Sequence, residues 1–261
     1  MLPWMDAHCH LTSRFHPEPL PGVLASLHEA GCQGFILGGV DPLDWQEQLD
    51  IPASPLRMIY GFGMHPWSVQ AREDAQLEED FKTLETMLPK AGALGECGVD
   101  FFRCKSEDER QKQSHWFERQ LELAAAQNKP LILHIVRAHH EALRLMKPYA
   151  GRLTGMVHSF WANHQTAQSW LDLGFYLSVP PRIMKLDNHG LLQYVPQDRI
   201  LFESDSPEVF ENGSASDPRL ALDVMKHVAW TQCIPVDRIL EQQNQNLFRL
   251  FPSLNDIHKS L

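Results

Sequence analysis

The chain is poor in cysteine, in long apolar runs and in basic residues, and each shortage argues against a class of protein. Its five cysteines are scattered along 261 residues without a C-x-x-C pair, which argues against a disulfide framework and favours free thiols in a reducing compartment. No stretch approaches the roughly 20 apolar residues that span a bilayer, and the N-terminal residues lack the features of a signal peptide. We therefore expect a cytoplasmic protein with no membrane segment.

Basic side chains are outnumbered by acidic ones. There are 23 Lys and Arg against 33 Asp and Glu, which gives a formal net charge of −10 with histidine taken as neutral. A broad basic surface that coats nucleic acid is therefore not expected. The hydrophobic content of 43% is typical of a globular protein with a large core. No low-complexity linker divides the sequence, so we expect one domain over residues 1–261.

Short apolar runs alternate with helical patterns along the whole chain. The eight runs lie near residues 4–8, 35–37, 58–62, 93–96, 131–134, 156–158, 175–179 and 200–203. Helical patterns are clearest over residues 108–127, 138–149, 166–173 and 218–230, and a closing helix is expected over 236–251. Eight strand-and-helix units predict an α/β fold, a single (β/α)8 barrel of the TIM type. An open, doubly wound sheet shares the alternation and is the alternative.

The first apolar run ends in two histidines that are two residues apart. Because side chains alternate across a strand, His8 and His10 point the same way, about 6.6 Å apart along the chain. Two imidazoles at this spacing can bind one metal ion. Two ordinary histidines, one of them solvated, are the alternative for this motif taken alone.

Four further runs end in residues of the types that bind metals. These are Glu96 in ALGEC, His134 in LILH, His158 in GMVHSF and Asp205 in ILFESDSP. The C-terminal ends of the strands of a parallel barrel open onto one face, so all six side chains become neighbours there. Six nitrogen and oxygen ligands exceed what one tetrahedral ion takes, so we expect two divalent cations, zinc, manganese or magnesium. Such a pair is suited to the hydrolysis of phosphate esters.

Eight segments, taken in order, carry a resemblance to a known family. They are DAHCHL (6–11), GMHPW (63–67), GECGVDFF (95–102), PLILH (130–134), GMVHSF (155–160), LDLGFYLS (171–178), ILFESDSP (200–207) and NLFRLF (246–251). These segments resemble the TatD family of metal-dependent hydrolases and deoxyribonucleases over nearly the whole chain. The resemblance implies a TIM-type barrel that binds one to three divalent cations and hydrolyses DNA phosphodiester bonds, often from an end. It also implies that the six candidate ligands stand where the family has metal ligands.

Roles for the candidate residues follow from their chemistry. We expect one cation at His8, His10 and Asp205, the other at His134 and His158, and Glu96 as the bridge. Asp205 is also expected to accept a proton from the attacking water. His65 in GMHPW is expected to hold the phosphate or to protonate the leaving oxygen, and a loop histidine braced by Pro66 is the alternative. Asp205, Glu96 and His65 are thus the predicted catalytic residues.

Residues around these ligands give further expectations. Asp6 and Asp100 are expected to orient ligand histidines as hydrogen-bond acceptors. Val136 stands where many family members have a phosphate-facing arginine, and Arg137 follows one residue later. Five aromatic residues near strand ends could stack a nucleic-acid base, although packing at the core or rim is the simpler interpretation. They are Trp67, Phe101, Phe102, Phe160 and Trp161.

The predicted substrate is a DNA end or another phosphoester, and no obligate protein partner is inferred. A metal-dependent esterase acting on D-aminoacyl-tRNA is an alternative, because some relatives have that activity. A general amidohydrolase is disfavoured, since those with two metals commonly bridge them through a carboxylated lysine where this chain has Glu96. An alternative from a different functional class is a non-catalytic scaffold that is stabilised by metal and binds a partner.

Overall fold

The structure is a computed structural model that describes residues 2–16, 18–185, 190–207 and 217–255. All strand pairings that it contains are parallel. The predicted third run is divided at Tyr60 into two short strands, so the eight predicted runs become nine strands. The strands are β1 (Trp4–Cys9), β2 (Cys32–Leu37), β3 (Arg57–Ile59), β4 (Gly61–Phe62), β5 (Ala93–Asp100), β6 (Leu131–Val136), β7 (Gly155–Val157), β8 (Tyr176–Val179) and β9 (Ile200–Phe202).

Helices connect successive strands, except β3 and β4, which are separated only by Tyr60. The helices are α1 (Leu20–Glu29), α2 (Pro42–Leu49), α3 (Pro66–Ala71), α4 (Asp74–Met87), α5 (Glu107–Gln127), α6 (His139–Met146), α7 (His164–Asp172), α8 (Gly190–Tyr194), α9 (Leu220–Thr231) and α10 (Val236–Leu250). The longest, α5, begins where the Ser106 hydroxyl accepts a hydrogen bond from the Glu109 backbone N at 3.2 Å. It ends at Asn128, whose left-handed φ of 51° stops the helix two residues before Pro130.

The strands form two sheets, which the chain links through Tyr60 between β3 and β4 and which are hydrogen-bonded to each other next to β1 and β9. One sheet has the order β1-β2-β3 and the other β4-β5-β6-β7-β8-β9. The seam between β1 and β9 is joined by backbone hydrogen bonds from His10 N to Ser206 O (2.6 Å) and from Asp205 N to His8 O (3.0 Å). The order follows the chain without the reversal of a doubly wound sheet, so the predicted TIM-type barrel is confirmed and the open sheet is not observed.

The C-terminal helix α10 strengthens this seam. The Gln243 amide donates to the carbonyls of Met5 (3.1 Å) and Phe202 (2.9 Å), one on each side of it. At its end, Leu250 and Phe251 pack against the buried side chains inside the barrel. These include Met5, Ala7, Ile36, Ile59, Ala93, Ile132, Met156, Tyr176 and Leu201. Apolar side chains therefore fill the interior of the barrel next to the N-terminal ends of the strands. A functional site is expected at the C-terminal ends.

Candidate metal centre

The structure brings all six predicted ligands together at the C-terminal ends of the strands. Their ligand atoms form three overlapping groups, and the atoms of each group lie within 4.8 Å of one another. One of these groups also includes His65. The most deeply buried members are His8, with no exposed surface, and Glu96, which is 1% exposed. The groups are His8, His158 and Asp205; His8, His10 and Glu96; and His65, Glu96 and His134.

Glu96 lies at the middle of the cluster, and its two carboxylate oxygens face different histidines. Oε2 is 3.0 Å from Nε2 of His10 and 3.5 Å from Nε2 of His8. Oε1 is 2.9 Å from Nε2 of His158 and 3.4 Å from Nδ1 of His134. One carboxylate therefore separates two histidine pairs, which is the position that a bridging ligand needs.

Asp205 lies near His8 and His10 of the first histidine pair, and it also forms a group with His8 and His158. Its Oδ1 is 3.6 Å from Nε2 of His8 and 4.0 Å from Nε2 of His10. The backbone of Asp205 is left-handed, with a φ of 50°, a conformation that aspartate tolerates better than most residues. Its side chain is 17% exposed and that of His10 is 16%, so these two are the candidate ligands most open to the mouth of the barrel.

Gly38, just after β2, makes the close approach of these groups possible. A Cβ atom at this position would lie 2.5 Å from Cε1 of His8, 2.8 Å from Oε2 of Glu96 and 2.9 Å from Cε1 of His10. Side-chain atoms do not approach one another this closely, so only glycine fits here. The Gly38 carbonyl also accepts a 3.1 Å hydrogen bond from Nδ1 of His10, so in the neutral ring, the form that binds a metal, Nε2 carries the lone pair.

The cluster is strongly coupled electrostatically. Burial alone would raise the pKa of the Glu96 carboxyl, but the imidazoles of His158, His8 and His10 hold that pKa well below its usual range. Burial opposes the charge on His10, yet Glu96 and Asp205 raise the pKa of its imidazole to about 9. The pKa of His158 is raised in the same way, against burial, chiefly by Glu96. The carboxylates thus create a site that attracts positive charge.

Several buried polar atoms of this cluster have no hydrogen-bond partner among the described residues. They include both ring nitrogens of His8, Nε2 of His134 and Nδ1 of His158. Unpaired buried polar atoms are costly and call for a ligand. Imidazole nitrogens with carboxylate oxygens are a donor set that suits zinc or manganese, so these residues fit divalent cations.

Two carboxylates face the outer nitrogens of candidate ligands. Oδ2 of Asp100 is 3.6 Å from Nε2 of His134, as the sequence led us to expect. Oε1 of Glu203, a fully buried residue, is 3.6 Å from Nδ1 of His158. The role of Glu203 escaped the sequence reasoning, although an acidic residue ending an apolar run was a signal for it.

Asp6 acts on the backbone rather than on a histidine ring. Its Oδ1 accepts hydrogen bonds from the backbone N of His8 (3.1 Å) and of Ser204 (3.0 Å), and its Oδ2 accepts one from the Ser204 hydroxyl (2.5 Å). The expectation that Asp6 orients a ligand ring is therefore wrong, because its carboxylate accepts hydrogen bonds from two backbone N–H groups and a hydroxyl. Asp6 ties β1 to the segment that follows β9, and so holds His8 and Asp205 in register.

His65 is the N-cap residue of α3. Its Nδ1 accepts a 3.1 Å hydrogen bond from the backbone N of Trp67, so the ring proton is on Nε2. Nε2 lies 3.8 Å from Oε1 of Glu96. Burial, together with the neighbouring His134, lowers the pKa of His65 well below its ordinary value. His65 is thus a neutral imidazole with its donor N–H directed into the cluster.

The barrel and its cluster define a class of enzyme. Histidines and carboxylates that converge at the C-terminal ends of parallel barrel strands form the site of a metal-dependent hydrolase. A model of the family described as TatD related DNase matches residues 5–252. The chain belongs to this family, and the resemblance noted in its sequence is confirmed.

Several relatives are similar over nearly their full length. The chain is 29% identical to the 3'-5' ssDNA/RNA exonuclease TatD of Edwardsiella piscicida, over 94% of this chain and 99% of the relative. It is 27% identical to the metal-dependent hydrolase YjjV of Escherichia coli K12, over 95% of this chain and 97% of the relative. The crystal structure of that YjjV superimposes with a TM-score of 0.79, at 23% identity over 95% of this chain and 98% of the other. A TatD family hydrolase from Entamoeba histolytica gives 0.81 at 18% identity, over 96% and 98%.

Proposed function

We propose that this hydrolase cleaves phosphodiester bonds at the ends of single-stranded nucleic acid. The observation that carries the proposal is the position of Glu96, whose two oxygens face two different histidine pairs. The similarity to a relative named as a 3'-5' ssDNA/RNA exonuclease supports the choice of substrate. A 3' end and a single strand are therefore the first substrate to test.

The cluster offers positions for two divalent cations. His8, His10 and Asp205 would hold one cation, His134 and His158 the other, and Glu96 would contact both. When bound, a pair of divalent cations activates water and stabilises the charge on the phosphate. With two such cations bound, the positive charge would exceed that of the Glu96 and Asp205 carboxylates, and the centre would attract an anionic substrate although the chain carries a formal net charge of −10.

Asp205 is placed to serve as the base of the reaction. Its carboxylate is the more exposed of the two candidate carboxylate ligands, at 17% against 2% for Glu96, and it lies near His8 and His10. A partly exposed carboxylate at this position can accept the proton that the attacking water loses. Glu96 is buried, so we assign it to holding the cations and not to proton transfer.

His65 would hold a phosphate oxygen. Because its Nδ1 accepts from Trp67, the ring is neutral and its Nε2–H is a hydrogen-bond donor. A neutral imidazole is a very weak acid, so protonation of the leaving oxygen is the less favoured of its two predicted roles. We therefore assign His65 to binding the phosphate.

Location and partners stay predictions. All five cysteines lie in the described part of the chain and are free thiols, which agrees with a cytoplasmic location. None of the described helices combines the length and apolar composition that crossing a bilayer requires. We infer no obligate protein partner.

The test compares end-labelled single strands with a charged D-aminoacyl-tRNA, with divalent ions supplied, removed by chelator and restored. We expect release of nucleotides from the 3' end that stops on chelation and returns with manganese or zinc. Asp205→Asn should abolish this release, whereas Asp198→Asn, at an exposed aspartate close in sequence, should retain it. Deacylation of the tRNA without cleavage of any strand would replace the proposal with the esterase alternative.

A further inference from the structure

Aromatic side chains exposed at the mouth of the barrel are each paired with an arginine. Three such rings are 39% to 61% exposed, although large apolar rings usually lie inside a protein. Each has a guanidinium carbon within 5.2 Å of its centroid. The pairs are Arg103 with Trp67 at 3.5 Å, Arg137 with Phe102 at 4.4 Å and Arg182 with Trp161 at 5.2 Å.

Trp67 connects this rim directly to the candidate metal centre. Its indole N–H donates a 2.6 Å hydrogen bond to Oδ2 of Asp100, the same oxygen that lies 3.6 Å from Nε2 of His134. Its ring centroid is 4.8 Å from that of His65 and 5.7 Å from that of His134. The indole is therefore held in one orientation next to the centre, with 42% of the residue exposed.

The second pair extends the rim outward. Phe102 precedes Arg103 in the loop after β5, and Arg137 follows β6, the neighbouring strand. The guanidinium of Arg137 lies over the Phe102 ring. Beyond it, a groove of about 560 Å³ runs between α5 and α6 and is lined by basic and acidic side chains alike, including Arg137, Glu118 and Glu141.

An arginine guanidinium beside an exposed aromatic ring offers contacts for both the base and the phosphate of a nucleotide. Aromatic faces and guanidinium planes stack on bases, and the edges of a guanidinium donate to phosphate oxygens. A duplex keeps its bases stacked inside, so only an unpaired strand offers them to such a surface. The remainder of the chain is acidic overall, which leaves little non-specific attraction for a polyanion.

We propose that Trp67 with Arg103, and Phe102 with Arg137, form a subsite that stacks the bases next to the scissile bond of a single strand. Trp161 with Arg182, in the segments that follow β7 and β8, is a third pair of the same kind. The subsite rests on the proposed function for its substrate class, but it makes a separate claim: selection of the substrate depends on its bases and not only on its phosphates.

The test compares two strands that differ only in their bases. Fluorescence anisotropy measures the affinity of the enzyme for a phosphorothioate-linked oligothymidylate, which resists cleavage, and for an abasic strand with the same backbone. We expect the wild type to bind the base-bearing strand roughly tenfold more tightly. The Phe102→Ala/Arg137→Ala variant should lose most of this preference, and Trp67→Leu should lose part of it.

A matched control carries the same types of change away from the mouth. Trp230→Ala/Arg152→Ala removes a tryptophan that is 79% exposed at the end of α9, together with an arginine that follows α6, and it should keep the full preference for bases. Circular dichroism checks the fold of each variant, and Phe102→Tyr/Arg137→Lys should restore part of the preference. Equal binding of both strands by the wild type, or an unchanged preference in Phe102→Ala/Arg137→Ala, overturns the subsite.

A small chromogenic phosphodiester distinguishes this failure from failure of the proposed function. If the wild type cleaves both the diester and the oligonucleotide but does not prefer bases, the subsite is wrong and the proposed function stands. If the wild type prefers bases but cleaves neither substrate, the subsite stands and the proposed function is wrong.

Discussion

Oε1 of Glu203 lies 3.6 Å from Nδ1 of His158 and also accepts a 2.6 Å hydrogen bond from the backbone N of Ser159. The second contact fixes the carboxylate, and the first lets it orient the imidazole, so that Nε2 of His158 faces Glu96. Carboxylates in this position set the tautomer and raise the basicity of a metal-binding histidine.

Replacing Glu203 with glutamine should therefore weaken cation binding. The amide keeps the shape of the side chain but loses the charge that stabilises the Nδ1–H of His158. We expect the affinity for zinc or manganese to fall by about 10- to 100-fold, measured by titration against a competing chelator. Glu241→Gln, on the exposed face of α10, is the control and should bind as the wild type does. An unchanged affinity in Glu203→Gln would show that Glu203 has only a structural role.

Gly38→Ala tests the crowding around His8 and His10. The new methyl group would overlap His8, His10 and Glu96, so these side chains must move apart. We expect a folded protein that has lost most of its turnover and binds fewer divalent ions, measured by elemental analysis after gel filtration. Gly22→Ala, in α1, meets no atom within 4 Å and should keep both properties. Full metal content in Gly38→Ala would argue against His8 and His10 as ligands.

Divalent ions should stabilise the fold. A ligand that binds only the folded state adds about 2.7 kcal/mol to the free energy of unfolding at a concentration 100 times its Kd. We expect chelation to lower the Tm of the wild type and manganese or zinc to restore it. Glu96→Gln should respond much less, because it lacks the charge shared by both histidine pairs. A Tm that ignores chelation in the wild type would contradict the candidate metal centre.

His139 gives the stability a pH dependence that is separate from the metal centre. Burial lowers the pKa of its imidazole to about 4, and its Nδ1 accepts a 3.1 Å hydrogen bond from Nε1 of Trp170. In the unfolded chain this imidazole is protonated below about pH 6.5, whereas in the folded chain it stays neutral until about pH 4. Protonation therefore favours the unfolded state, and the free energy of unfolding decreases as the pH falls from 6.5 toward 4. The expected loss from this residue is roughly 3 kcal/mol.

Denaturant unfolding in chelator measures this contribution. His139→Gln removes the titrating group, so the advantage of the wild type over the variant should shrink as the pH falls through that window. His140→Gln, at the neighbouring exposed histidine, is the control and should follow the wild type. A constant difference between wild type and His139→Gln at all pH values would refute the assignment.

The barrel and the residues of the candidate centre can be predicted from the sequence alone. Strand periodicity is local, and a parallel barrel sends every strand end to the same face, so His8 and Asp205 could be placed together although nearly 200 positions separate them. The break at Tyr60 could not be foreseen, because the apolar pattern of that run continues across it.

Other features depend on contacts that no local pattern encodes. The tautomer of His65 is set by one backbone N–H of Trp67, and the position of Arg137 by the ring of Phe102. Asp6 looks from the sequence like a partner for a histidine ring, since it shares the face of His8. The hydroxyl and the backbone N–H of Ser204 donate hydrogen bonds to the Asp6 carboxylate instead. Ser204 comes next to Asp6 only when the first and last strands are neighbours in the folded barrel.

Leu250 and Phe251, at the end of α10, pack among the side chains that fill the interior of the barrel. A molecule bound at the candidate metal centre is therefore expected to exchange with solvent at the C-terminal ends of the strands. Under the proposed function, a freed nucleotide would leave on the side from which the single strand enters. Release of the nucleotide would then compete with the advance of the strand to its next bond.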